Sequence, residues 1–184
     1  MPIVDYAIRE VRFRIVVAGS VAAGKGTVIR RLHERMAPAD RGEIFVRPIG
    51  ADQFTGFDFT SPEIISTADH RARFEVITLS GHVTNPAHWK RLLNDADAVL
   101  YVADSLPSKA DENRLLLSEI AGQQSFADMP IVFLYNKRDL PDAVSVAEME
   151  RMLNPIGAPA FETIATNGDG LAPVLAALCA LALT

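Results

Sequence analysis

Seven residues near the amino terminus have types and a spacing that suit phosphate binding. Gly19 to Lys25 reads G-S-V-A-A-G-K and matches the pattern G-x-x-x-x-G-K. Small residues let the backbone curl so that successive N–H groups point at phosphate oxygens, and a helix that follows adds a favourable dipole. The alternative is a glycine-rich turn with a surface lysine, but a strand before the motif and a helix after it favour the phosphate site. The predicted phosphate contacts are Gly19, Ser20, Ala22, Ala23, Gly24, Lys25, Gly26 and Thr27.

The position after Lys25 departs from this pattern. Serine or threonine there normally holds Mg²⁺, but this chain has Gly26 followed by Thr27. One helical residue rotates a side chain by roughly 100°, so Thr27 does not simply replace the missing hydroxyl. We therefore expect weak coordination of Mg²⁺ by the protein, with water or a shifted Thr27 in that position.

A second cluster, Asn136-Lys137-Arg138-Asp139, matches the N-K-x-D element of GTP-binding proteins and follows a continuous apolar run. The Asp139 carboxylate can accept two hydrogen bonds, from guanine N1–H and from the 2-amino group, a pair that adenine does not offer. The Lys137 stem can cover the flat face of the base. A polar turn before Pro141 is the alternative, and the phosphate motif upstream weakens it.

A third loop, Ile164-Ala165-Thr166-Asn167-Gly168, follows another short strand. It is similar to the S-A-K-T-G element of guanine sites, with Ala165 and Gly168 matching. The Ala165 N–H would meet guanine O6, and we include its neighbour Thr166 among the base contacts. Asn-Gly is also a generic turn, so this loop is a weak signal alone.

The order of predicted elements places all three motifs in loops that follow strands. Continuous apolar runs at 98–103 and 131–135 are typical of parallel strands buried on both faces. The alternation of strands and helices predicts an α/β fold with a doubly wound, mostly parallel sheet, helices on both faces, and ligands at the carboxyl ends of the strands. The other predicted strands are 12–18, 44–47, 57–60 and 74–79. The predicted helices are 24–36, 86–94, 109–126, 146–153 and 171–183.

The composition is that of an ordinary globular protein. The chain has 184 residues and a net charge of −5, which argues against nucleic acid as the main partner. Cys179 is the single cysteine, so no internal disulfide forms. With no signal peptide, lipidation motif or membrane span in the sequence, we expect one domain over 1–184, in the cytoplasm and without a membrane anchor. A basic cluster is interpreted as solvated surface; it comprises Arg9, Arg12, Arg14, Arg30, Arg31 and Arg35.

The three motifs, in this order over a chain of this length, resemble those of Ras-superfamily small GTPases. Further stretches resemble the MglA-type members, which are bacterial GTPases of gliding motility and cell polarity. These stretches are 5–10 (DYAIRE), 57–59 (FDF), 73–81 (RFEVITLSG), 102–105 (VADS) and 135–149 (YNKRDLPDAVSVAEM). The resemblance implies a P-loop small GTPase fold, GTP and GDP as ligands with Mg²⁺, and a slow molecular switch. It also implies an effector and a roadblock-domain activator as partners.

The third strand of this fold ends in a further departure. Most small GTPases carry D-x-x-G there, and the aspartate holds a Mg²⁺-bound water. This chain has Thr78-Leu79-Ser80-Gly81, and MglA-type proteins resemble it in having threonine first. We include Gly81 among the nucleotide contacts. Asp58, on a neighbouring strand, is a candidate for the missing charge, and a surface or turn aspartate is the equal alternative.

The catalytic positions of the family are also altered. Small GTPases have a glutamine after the switch glycine to orient the attacking water, whereas this chain has His82, which either orients water or has no role. MglA-type proteins place an arginine and a threonine in the loop before Phe57, where this chain has Gln53 and Phe54, with Thr55 one residue late. The candidate metal ligands are Thr27, Thr55 and Asp58, and the candidate catalytic residues are Lys25, Gln53 and His82.

Three functions fit these residues. The first is a switch that binds GTP, hydrolyses it slowly and presents different loops to partners in each state. The second is a degenerate guanine-nucleotide-binding interaction protein with little or no hydrolysis, which Gly26, Gln53 and Phe54 favour. The third is a nucleoside monophosphate kinase, because G-K-G-T also occurs there; N-K-R-D and the lack of an arginine-bearing lid weaken it.

Overall fold

A mixed sheet of eight strands forms the centre of the structure, a computed structural model that describes residues 2–66, 70–80, 86–122 and 130–184. The strands are β1 (Ile3–Asp5), β2 (Glu10–Ala18), β3 (Phe45–Ile49), β4 (Asp52–Ser66), β5 (His70–Ser80), β6 (Ala98–Asp104), β7 (Ile131–Asn136) and β8 (Ala160–Thr163). The helices are α1 (Lys25–Arg35), α2 (Pro86–Asn94), α3 (Ala110–Ala121), α4 (Val146–Leu153) and α5 (Ala172–Ala182). A 3₁₀ turn at Pro107–Lys109 leads into α3.

The predicted doubly wound sheet is confirmed. Strands β5, β2, β6, β7 and β8 are neighbours in that order and run parallel. Every residue of β6 and β7 is buried, as expected for strands that are covered on both faces. Helices α1 and α5 pack one apolar layer against the sheet, and α2, α3 and α4 pack the other. The loops after β2, β7 and β8 therefore meet at one edge, where the three motifs lie.

The second quarter of the chain differs from the prediction. Instead of a loop before a short strand at 57–60, β4 begins at Asp52 and pairs antiparallel with both β3 and β5. Gly56 permits this close pairing, because a Cβ there would lie 2.3 Å from the Val76 carbonyl oxygen. The predicted loop is wrong because residues 52–56 pair with strands on both sides, and Gly56 is the point of close strand approach.

Aromatic packing holds β4 in place. Phe57 and Phe59 are buried, and the Phe59 ring stacks on Phe74 of β5 with centroids 5.1 Å apart. The α1 side chain His33 meets Phe57 edge-on at 5.0 Å. Buried aromatic pairs of this kind stabilise the strand, although the segment by itself has only a weak preference for extended structure.

The boundaries of other elements differ from the predicted ones by a few residues. Strand β2 starts at Glu10, two residues before the prediction, because β1 forms a hairpin with it. Helix α3 was predicted to reach residue 126; it is described to Ala121, and 123–129 lie outside the described residues. In the part of the chain that the structure describes, no helix is long and apolar enough to cross a membrane.

Candidate nucleotide-binding site

The phosphate loop between β2 and α1 has a backbone that only small residues allow. Gly19 and Gly24 have φ angles of 147° and 104°. A Cβ on Gly19 would lie 2.2 Å from the Val102 carbonyl oxygen, and one on Gly24 would lie 2.3 Å from Asn136 Nδ2. Ala22, at φ 63°, is in the left-handed region that an alanine rarely adopts. Strained backbone of this kind concentrates at functional sites.

Lys25 is folded back on its own loop. Its Nζ donates hydrogen bonds to the Gly19 and Ser20 carbonyl oxygens, both at 2.9 Å. The residue is 9% exposed. Burial lowers the pKa of Lys25 to about 8, and the negative charge of Glu112 opposes that shift. The ammonium is therefore held at the loop by neutral carbonyl groups.

Asn136, the first residue of N-K-R-D, joins the three motif loops. Its Nδ2 donates to the Ala23 carbonyl oxygen at 2.7 Å, and its Oδ1 accepts from the Ala165 N–H at 3.0 Å. The side chain is buried at the end of β7. Asn136 thus spans the phosphate loop and the third loop, a positioning role that the sequence motif alone did not reveal.

The predicted base-reading residues line one small cavity of about 230 Å³. Asp139 is exposed there. Lys137 has a φ of 65° and its Nζ donates to Asp104 Oδ2 at 2.5 Å. The Asp104 side chain is buried, so this pair fixes the course of the lysine stem. The lining residues are Ala22, Gly24, Thr27, Asn136, Lys137, Asp139, Leu140, Ala165 and Thr166.

The adjoining cavity, which we call the phosphate cavity, has a volume of about 340 Å³ and lies over the start of α1. Its lining shares Ala22, Gly24 and Thr27 with the 230 Å³ cavity beside Asp139, so the two cavities form neighbouring parts of one cleft. Lys25 and Arg30 bring positive charge to it. The other lining residues are Val21, Gly26, Thr78 and Leu79.

Asp58 is not near this cleft, and its prediction as a metal ligand is wrong. It pairs with Glu75 in the sheet and bonds to Arg73, whose other carboxylate partner is Glu10. These residues line another cavity, of about 520 Å³, near the amino end of β2. Side chains alternate between the faces of a strand, so Asp58 faces away from Thr55, three residues earlier.

The remaining predicted metal ligands are two threonines. Thr27 lines both cavities, and Thr55 lies opposite Thr78, with which it shares a face. The Thr78 hydroxyl already donates to the Val17 carbonyl oxygen at 2.7 Å. Among the described residues, no group of three or more His, Cys, Asp or Glu side chains could hold a metal ion. The Thr27 and Thr55 hydroxyls therefore stay predicted metal ligands, and an ion bound here would depend mainly on phosphate and water oxygens.

Of the other predicted catalytic residues, Gln53 is described and His82 is not. Gln53 is exposed on β4, opposite Ser80. It lies in a strand rather than in the predicted loop. Gly81 and His82, which follow Ser80 in the chain, lie outside the described residues.

Two arginines of the basic cluster are more than solvated surface. Arg35 donates to the Gly168 carbonyl oxygen at 2.6 Å, and Arg31 donates to the Thr166 carbonyl oxygen. Both thereby fasten the third loop to α1. Their spacing of four residues places them on one helix face, but a partner loop more than 130 residues away leaves no signal in the local sequence.

Comparison with known proteins identifies the family of the chain. A model of the ADP-ribosylation factor family matches residues 3–180. The chain belongs to this family. It is similar over its whole length to mutual gliding-motility protein MglA of Myxococcus xanthus, at 31% identity over 97% of that protein. It is 28% identical to ADP-ribosylation factor-like protein 1 of Drosophila melanogaster, over 86% of this chain and 82% of that one.

Membership of the ADP-ribosylation factor family makes the chain a small GTPase, a nucleotide-binding switch. The small COPII coat GTPase SAR1 of Giardia intestinalis also matches, at 32% identity over 53% of this chain and 49% of its own length. The predicted resemblance to MglA-type GTPases is confirmed. A non-hydrolysing protein is not favoured, and nothing in these relatives suggests a kinase.

The Lys25 environment predicts that nucleotide binding depends on pH. The free protein loses the Lys25 proton above about pH 8, whereas bound phosphates favour the charged ammonium. The affinity for GDP should therefore fall as the pH rises from about 7 to about 9, approaching tenfold per pH unit above the pKa. Isothermal titration calorimetry in buffers of different ionisation enthalpy would measure this proton uptake.

The control for this experiment is Lys25→Arg, whose guanidinium stays charged throughout. Any titration of the nucleotide itself would appear in both proteins. The difference between the two profiles isolates Lys25, and parallel profiles would contradict the prediction.

Proposed function

We propose that the cleft holds GTP and GDP, with the phosphates at residues 19–27 and the base between the Lys137 stem and the third loop. The observation that supports this most is the Asn136 amide, which ties the phosphate loop to the third loop so that both face one cleft. Asp139 would then read guanine, and the Ala165 N–H would lie close to the base. The cavity that these residues line supports the assignment.

We further propose that the whole chain works in the cytoplasm as one slow switch domain. Its relative in Myxococcus is named for gliding motility, so a role in motility or polarity is the process to test first. A switch needs proteins that distinguish its two states. We therefore expect an effector and, as the activator, a roadblock-domain protein, both identifiable by pull-down with the GTP-loaded chain.

Guanine selectivity is the first test of this proposal. The Asp139 carboxylate would be covered by a bound base and left unpaired by adenine. Sites built to pair such groups discriminate by roughly 10⁴-fold or more. Calorimetric titration should therefore show GDP binding far more tightly than ADP, and Asp139→Ala should remove the difference.

Asp142→Ala is the matched control, because Asp142 is an exposed aspartate three residues further along the chain and outside the cavity lining. It should retain full selectivity. Equal affinities of the parent protein for GDP and ADP would refute the guanine assignment.

The dependence on metal is the second test. Since Gly26 supplies no hydroxyl and Thr78 donates to Val17, a chelator should speed GDP dissociation by only a few-fold. Apart from Gly26, its two chain neighbours and the adjacent helix backbone, no described atom lies within 4 Å of the point that a Gly26 Cβ would occupy. Gly26→Ser and Gly26→Thr therefore fit without displacing the loop. Both should restore a metal-sensitive rate, because a hydroxyl at this position is an oxygen ligand that Mg²⁺ prefers.

Gly26→Ala controls for the change in helix propensity, which is worth roughly 0.5–1 kcal/mol. It should behave like the parent toward the chelator. A large chelator effect on the parent would show that another group holds the ion.

Slow hydrolysis is the third test. In this reaction the protein positions water and stabilises charge on the transferred phosphoryl group, and intrinsic rates without an arginine are on the order of 10⁻⁴ to 10⁻³ per second. Gln53 is neutral, so we expect a rate in the lowest part of that range or below it. His82→Ala should reduce the rate further in a single-turnover assay, and His82→Gln should retain more activity because glutamine also orients water.

Gln53→Arg tests, in the same assay, whether a positive charge at position 53 raises the rate of hydrolysis. Gln53 is exposed and lies opposite the residue that precedes Gly81 and His82, so an arginine there should raise the rate. If His82→Ala hydrolyses GTP as fast as the parent, the water-positioning role is wrong.

A further inference from the structure

The first turn of α3 is attached to the phosphate loop by two consecutive side chains. Glu112 Oε1 accepts a hydrogen bond from the Val21 N–H at 2.9 Å. Asn113 Oδ1 accepts from the Ser20 hydroxyl at 3.1 Å, and its Nδ2 donates to the Asp104 carbonyl oxygen. Asn113 is buried, whereas the Glu112 side chain is 38% exposed. The Asn113 amide therefore bonds to the loop on its buried side, and the Glu112 carboxylate bonds to it at the edge of the cleft.

Glu112 is an anion in this position. Its Oε2 accepts from Lys109 Nζ at 2.5 Å. This hydrogen bond, together with the Val21 N–H and the charges of Lys109 and Lys25, holds the pKa of Glu112 below its usual value. The Glu112 carboxylate and the Lys25 ammonium also attract each other. The charge of Glu112 raises the pKa of Lys25, whereas burial lowers it.

Two of the groups that act on Glu112, the Val21 N–H and the Lys25 ammonium, belong to the predicted phosphate loop. Phosphate loops bind phosphate oxygens with successive backbone N–H groups and with the lysine. Val21 lines the phosphate cavity, but its N–H is occupied by a carboxylate. A triphosphate carries more negative charge than a diphosphate and extends further, so Glu112 repels it more.

We propose that Glu112 is a specificity-determining residue of this site: it occupies the Val21 N–H and places a negative charge beside Lys25, so that the loop favours the diphosphate over the triphosphate. Binding of the outermost phosphate then requires the carboxylate to leave the Val21 N–H while it stays paired with Lys109. The α3 helix is thereby linked to the nucleotide state. This inference rests on the proposed function, in which guanine nucleotides occupy the cleft.

The test is the ratio of affinities for a non-hydrolysable GTP analogue and for GDP, measured on the full chain by competition with a fluorescent GDP. Glu112→Gln keeps an oxygen that can accept from Val21 but removes the charge. Affinity for the analogue should rise on the order of five- to tenfold while affinity for GDP changes much less. The gain should shrink at high ionic strength, because salt screens a partly exposed charge.

Asp111→Asn is the matched control. Asp111 lies in the same helical turn, and its side chain is fully exposed, with Arg114 as an ion-pair partner at 3.9 Å. The substitution should leave the ratio unchanged. Glu112→Ala removes charge and acceptor together and should favour the analogue at least as strongly as Glu112→Gln.

The outcomes separate this inference from the function on which it rests. If the parent binds GDP but Glu112→Gln leaves the ratio unchanged, and Glu112→Ala weakens both nucleotides equally, Glu112 is only a structural tether and the proposal is overturned. If the parent binds neither nucleotide, the proposed function itself fails. Thermal unfolding of each variant, expected within a few degrees of the parent, shows that the ratio reports on binding.

Discussion

The amide side chain of Asn136 is the contact on which the geometry of the cleft depends. It is buried at the end of β7, and it uses its donor on Ala23 and its acceptor on Ala165. An unpaired amide or N–H in this place would cost about 1–3 kcal/mol, so all three loops adopt the conformation that satisfies it. The same side chain requires glycine at position 24, because a Cβ there would lie 2.3 Å from its nitrogen. One asparagine thus connects the two loops and requires the glycine at position 24.

An element can be predicted from the sequence when the residues within it are sufficient to determine its structure. The phosphate motif, N-K-R-D and the buried runs of β6 and β7 are consecutive residues whose types determine their environment, and the sequence correctly predicts where they lie in the fold. The ligand contacts of the two motifs stay predictions. The extended β4 was not, because Gln53, Phe54 and Thr55 form a strand only through pairing with β3 and β5. Asp58 was misplaced for a related reason. Its face of the sheet depends on the register of β4, which the sequence does not reveal.

The contacts that hold the site together were the hardest to foresee. Arg31, Arg35 and Glu112 each reach loops about 90 to 135 residues away in the chain. Charged side chains on helices usually face solvent, so the local sequence favours a surface position for the basic cluster. Only the packing of α1 and α3 against the sheet brings these groups to backbone atoms of the phosphate loop and the third loop. Their roles are therefore consequences of the tertiary fold and not of any motif.

The balance of charge at the phosphate loop explains why this GTPase should work slowly and through partners. Lys25 and Arg30 line the phosphate cavity, and the start of α1 adds its dipole. Against these stand a carboxylate at Glu112 and a glycine where a metal-binding hydroxyl is usual. Neutralisation of the transferred phosphate group is then incomplete within the chain, and an arginine supplied from outside is worth roughly 10³ to 10⁵ in rate for this reaction. On the proposed function, we therefore expect the chain to keep its nucleotide state until a partner supplies the missing charge.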